Sequence, residues 1–144
     1  MHKCKTYFLI TLVIFFFQGC KKVKNVPVPN VPVEITINLT LPSYAALINV
    51  GGWCYVTGGS RGIVVYRRSL DEFVAFDRHS SATPNESSCV NPIIVSTTNA
   101  LELIDECSSA KFSLYDGSAI TGSDFGLRQY QTFFDGNSSL RIYN

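Results

Sequence analysis

Along most of this chain polar and apolar side chains change places every one or two residues, in runs the length of β-strands. VEITINLT (33–40) alternates strictly, which sends one set of side chains inward and the other to solvent. ALINV (46–50), WCYVT (53–57), GIVVYRR (62–68), EFVAFDR (72–78) and PIIVS (92–96) continue the series. LELI (101–104), KFSLYD (111–116), LRQYQTFF (127–134) and SLRIYN (139–144) complete it. Glycine-bearing turns punctuate the strands: Thr57-Gly58-Gly59-Ser60 reads as a tight hairpin turn, and Asp116-Gly117 and Asp135-Gly136 as further reversals. Beyond the N-terminal apolar segment no window supports a helix longer than a turn or two, and no repeat of fixed period is visible. The predicted fold class is all-β, a small barrel or sandwich of antiparallel strands. Two polar stretches break the rhythm, HSSATPNESSCVN (79–91) and DECSSAK (105–111).

The first 20 residues follow a different pattern. A basic start (His2, Lys3, Lys5) leads into an apolar run from Tyr7 to Phe17, and Gln18-Gly19-Cys20 closes it. A bilayer-spanning helix needs roughly 20 apolar residues. This run is shorter and suits the apolar region of an export signal. A small residue followed by cysteine resembles a bacterial lipobox, although Phe17 and Gln18 are unusual there; an ordinary signal peptide or an uncleaved anchor are the alternatives. The expectation is a signal peptide over residues 1–19 and a lipid attached at Cys20, with membrane lipid as the first partner. Residues 20–33 carry three of the six prolines and read as a tether. Residues 34–144 form the domain, facing the periplasm from the outer or inner membrane.

Twelve basic and 11 acidic side chains nearly cancel. No basic stripe emerges, so nucleic acid is not an expected partner. Of the five cysteines, Cys4 leaves with the signal and Cys20 takes the lipid. Cys54, Cys89 and Cys107 remain in a compartment that permits disulfides, enough for one internal pair.

GGSRGIVVYR, FVAFDR before the first polar loop, CSSAKFSLYDGSAITG through the second, and LRQYQTFF…SLRIYN together resemble landmarks of the Rieske iron–sulfur family over residues 34–144. The resemblance implies a two-loop hairpin subdomain at about 77–117. In that family the loops supply C-x-H and C-x-x-H, two thiolates to one iron and two imidazoles to the other. Here Ser80 and Ala82 fill the first pair of positions, and Cys107 and Ala110 the second. Shifting by one residue places His79 and Ser81 in the first loop instead. Neither alignment provides four ligands, since alanine coordinates nothing and His2 and His79 are the only histidines. The resemblance therefore implies the fold without its ancestral [2Fe–2S] cofactor, and no other cofactor is expected. It also implies a Cys89–Cys107 disulfide, because the fold brings these loops together; Cys54, within a strand, is expected as an inert buried thiol.

Other chemistry has weaker support. His79 with Cys89 and Cys107 matches no compact metal-site spacing, and His79 reads as an exposed loop histidine. Gly58-Gly59-Ser60-Arg61-Gly62 lacks the ending of a phosphate loop and precedes a strand where a helix is required. No catalytic residue and no metal site is predicted. The expected function is binding or structural, with an envelope protein as partner. A Rieske-type electron-transfer protein is the first alternative, and an accessory protein for a small molecule or glycan the second.

Overall fold

The computed structural model describes residues 26–85 and 90–144. The signal segment, Cys20 and Cys89 lie outside the described residues. Ten strands account for the architecture: β1 (Glu34–Asn38), β2 (Trp53–Val56), β3 (Ile63–Arg67), β4 (Phe73–Asp77), β5 (Ile94–Val95), β6 (Glu102–Ile104), β7 (Lys111–Ser113), β8 (Ala119–Thr121), β9 (Gln129–Phe134) and β10 (Ser139–Tyr143). They form two antiparallel sheets, one of six strands in the order β1-β10-β9-β4-β3-β2 and one of four in the order β5-β6-β7-β8. The all-β expectation holds.

The central strands explain the layering. Side chains on a strand point alternately to its two faces. On β3 and β4, Ile63, Val65, Phe73 and Ala75 enter one core with Leu47, Tyr130, Leu140 and Ile142. Val64, Tyr66, Val74 and Phe76 enter a second core with Leu103 and Phe112 of the smaller sheet and with Ile93 and Leu114, which flank its strands. Both faces of these strands are buried, so IVVY and FVAF are continuously apolar where outer strands alternate. The second core mounts the smaller sheet, and with it the two polar loops, on the back of β3–β4.

Three local features differ from the sequence reading. ALINV is not a strand: residues Pro42–Ile48 form a 3-10 helix, with Pro42 at its start and Leu47 fully buried. Proline fixes φ near the helical value where no backbone donor is needed. β8 has no counterpart in the sequence reading; it is a three-residue edge strand joined to β7 across an irregular register at Lys111 and Phe112. The β2–β3 connection is a wider loop over 57–62, since Val56 pairs with Ile63. The predicted tether is also held down over its second half. Val28 is buried, Arg128 donates to the carbonyls of Val26 and Val28, and the Asn144 side chain clasps Asn30, Val31 and Val33.

Candidate functional site

The first loop leaves β4 at Arg78 and the second joins β6 to β7 through residues 105–110. Asp105, only 1 % exposed, joins them. One carboxylate oxygen accepts from the hydroxyls of Thr83 (3.1 Å) and Ser108 (2.7 Å), the other from the Cys107 amide (2.9 Å). The Ser80 hydroxyl also bonds this carboxylate. Burial pushes the Asp105 pKa up, but the hydrogen bonds from Ser80, Ser108, Cys107 and Thr83 together outweigh it and hold the group below its usual range. A buried carboxylate is tolerable only when bonded in this way. Nearby, Ser109 is the only described residue other than glycine with a positive φ, and its amide closes a turn onto the Asp105 carbonyl at 2.8 Å.

The positions expected to correspond to cluster ligands have other work. Ser80 is 1 % exposed; besides bonding Asp105 it accepts the Ala82 amide at 3.2 Å. Ala82 packs against the second core. Ala110 is fully buried there, and a methyl group on Gly122 would come within 3.0 Å of the Ala110 Cβ. A histidine side chain has no room at that position. Cys107 is not a free thiol; Cys89, the partner expected for it, lies outside the described residues. A [2Fe–2S] centre takes four thiolate and imidazole ligands, and the described residues at these positions do not fit one. In the shifted alignment Ser81 is no better placed, since its hydroxyl donates to the Phe125 carbonyl at 2.8 Å. Among the described residues, no three His, Cys, Asp or Glu side chains converge as metal ligands.

His79 is not the exposed loop residue expected. It is 5 % exposed, with Nδ1 at 2.8 Å from the Ser60 hydroxyl and Nε2 at 3.1 Å from the Pro84 carbonyl. A carbonyl only accepts, so Nε2 carries the proton and Ser60 donates to Nδ1. Burial, together with the positive charge of Arg61, holds the imidazole pKa below its ordinary value and keeps the ring neutral.

Beside it lies a hub that the sequence reading missed. Asp77, with no exposed surface, accepts from the Ser60 amide and the Tyr130 hydroxyl, both at 2.6 Å, and from the amides of His79 (2.8 Å) and Arg61 (3.2 Å). Burial and the neighbouring carboxylate push the Tyr130 hydroxyl pKa up. The glycine-rich 57–62 loop is shaped by this hub, not by a hairpin turn. A methyl group on Gly59 would lie 2.4 Å from the Asp77 carboxylate and 2.5 Å from the Tyr130 hydroxyl. An acidic residue ending the apolar FVAFD was the only local signal. Cys54, expected as a buried thiol, is a free thiol only partly buried against the first core, and burial pushes its pKa up to about 11.

Between the first loop and the segment that follows β8 is an open cleft of about 560 Å³, lined by Ser81, Ala82 and Pro84 of the loop and by Gly122, Ser123, Asp124 and Phe125. Pro27 forms part of its rim. The arrangement offers hydroxyl and carbonyl groups for binding.

No protein-family model and no curated protein matches the chain. Among solved structures it is similar to the E. coli protein NirD, determined by NMR, at 18 % identity over 76 % of this chain and 96 % of that one, with a TM-score of 0.43. A likeness that distant carries no functional argument.

Proposed function

We propose that this chain is a lipid-anchored envelope protein whose Rieske-like domain has lost its iron–sulfur cluster and serves as a binding or structural module. The observation that supports this reading best is the Asp105 knot. Hydrogen bonds from Ser80, Thr83, Cys107 and Ser108 to one buried carboxylate join the loops that a cluster joins in that family. The fold part of the reading draws on the sequence landmarks and on a small sheet, carrying two loops, set against a larger one.

Anchoring at Cys20 gives the site a direction. A fully extended chain covers about 3.5 Å per residue, so Val26 lies within about 20 Å of an acylated Cys20. Val26 and Val28 are fastened to Arg128, and Pro27 borders the cleft between the first loop and residues 122–125. The cleft is then held close to the membrane surface, within reach of a membrane-bound envelope protein.

The test has two parts. Membrane fractions from cells making the full chain are analysed by intact mass for acylated Cys20, and Cys20→Ser is expected to abolish membrane retention or leave the precursor uncleaved. The purified protein is analysed for iron and sulfide and by electron paramagnetic resonance after reduction. Two irons per chain with matching sulfide overturn the cluster-free reading; an unmodified Cys20 in the wild-type mature protein overturns the anchor.

A further inference from the structure

We propose a second binding site, lined by none of the residues of the Asp105 knot: the cleft between the 57–62 loop and Arg78 takes a small hydroxylated carboxylate of the sugar-acid class, with Arg78 as the residue that grips its carboxylate.

Arg78 is fixed before any ligand arrives. Its amide donates to the Gly62 carbonyl and its carbonyl accepts from Ile93, both at 2.8 Å. Its Nε donates to the Ile93 carbonyl at 2.9 Å, and the guanidinium lies over the Tyr55 ring at 3.6 Å from the centroid. Gly62 has φ of +90°, and a Cβ there would sit 3.6 Å from Nη1. The guanidinium is thus held by an aromatic face, a carbonyl and a glycine backbone. The ordering cost that normally reduces an arginine's affinity for its ligand has been met in advance.

Among the described residues its charge has no ion-pair counterpart: the ion pairs there are Arg68–Glu72, Lys111–Glu102 and Arg141–Glu34, and Arg78 belongs to none. Withdrawing a cation from water without an opposing charge is costly. An anion entering the cleft would remove that cost, so the half-buried guanidinium favours one.

The lining selects the kind of anion. The cleft measures about 430 Å³, within the range of small-molecule sites. Arg78 presents the planar fork of two N–H groups that matches a carboxylate edge to edge. Thr57 and Ser60 border the same space. The Ser60 hydroxyl gives its proton to His79 and so faces the ligand as an acceptor. Tyr55, which accepts the Val95 amide at 2.9 Å, keeps its own O–H to donate. A carboxylate carried beside hydroxyl groups satisfies this set; a bare apolar acid does not.

Glucuronate serves as the probe, with glucose as the neutral control and inorganic phosphate as the tetrahedral anion, titrated into the full-length protein. Binding is read by calorimetry and by the fluorescence of Trp53, whose ring lies 5.0 Å from that of Tyr55. Saturable binding of glucuronate, with none of glucose and weaker binding of phosphate, is the expected result. Arg78→Lys keeps a cation but loses the fork and should weaken glucuronate at least about tenfold. Thr57→Val, in the exposed loop, should weaken it about threefold through one lost hydrogen bond. Should Arg78→Lys fail to fold, amide shifts in the wild-type spectrum decide: movement at Ser60–Gly62 and Arg78 supports the site, and movement confined elsewhere overturns it. Absence of saturation by about 10 mM glucuronate, or phosphate bound as tightly with Arg78→Lys indifferent, also overturns it.

Discussion

Replacing Asp105 with asparagine removes the charge from the knot while preserving its shape. The amide oxygen can still accept from Cys107, the one donor that cannot rotate. The hydroxyls of Thr83 and Ser108 must turn to accept from the new amide, and the charge-assisted bonds become neutral ones. Hydrogen bonds to charged groups contribute about 1.5–3 kcal/mol each, but these share one carboxylate and are partly replaced, so the expected loss is about 2 kcal/mol. With a urea slope of about 1.5 kcal/mol/M, the unfolding midpoint at pH 7 should fall by about 1.3 M. The loss should also depend on pH. Asp105 has a folded pKa held below its ordinary value by its hydrogen bonds. Its contribution is therefore complete above the unfolded value and disappears as pH falls through the lower folded value. The gap between wild type and Asp105→Asn should stay constant through neutral pH and begin to close below about pH 4. Taking the difference between the two proteins cancels the other carboxylates that titrate there. A gap under about 0.5 kcal/mol at pH 7, or one unchanged through the acid range, would refute the assignment of Asp105 as the charged tie between the loops.

Three further outcomes are expected. Gly59→Ala should cost about 3 kcal/mol in urea unfolding, because a side chain at φ of +63° is strained and its methyl group would displace the Asp77–Tyr130 hydrogen bond; a loss below about 1 kcal/mol contradicts the geometry. His79 should titrate by nitrogen-15 NMR below the usual 6.5 and show the Nε2–H tautomer at neutral pH; since its folded pKa is depressed, its contribution to stability is lost as pH falls from about 6.5 through the lower value, and a pKa at or above 6.5 would contradict the buried neutral ring. Non-reducing peptide maps should recover Cys89 linked to Cys107, closing 18 residues of chain for about 3 kcal/mol, while Cys54 alkylates only after unfolding; ready alkylation of Cys89 in the folded, oxidised protein rules the pairing out.

What the sequence determined by itself was the all-β class and most of its strands. Alternation over 33–40 marked β1, and the continuous apolar runs marked β3 and β4, because burial on one or two faces leaves its period in the chain. Residue identity alone showed that Ala82 and Ala110 coordinate nothing. Tertiary structure decided the rest. ALINV has strand-like composition, yet Pro42 and the burial of Leu47 make its first residues the end of a 3-10 helix. The short edge strand β8 buries too little to imprint an alternation. His79 looked exposed because its neighbours are polar, and it is buried because Ser60 and Pro84 close on it from two loops. Asp77 meets Tyr130 across 53 positions, and Asp105 meets Thr83 across 22. Hydrogen bonds between residues so far apart have no period and no local composition. They exist only once two hydrophobic cores on either side of β3–β4 have brought the loops together.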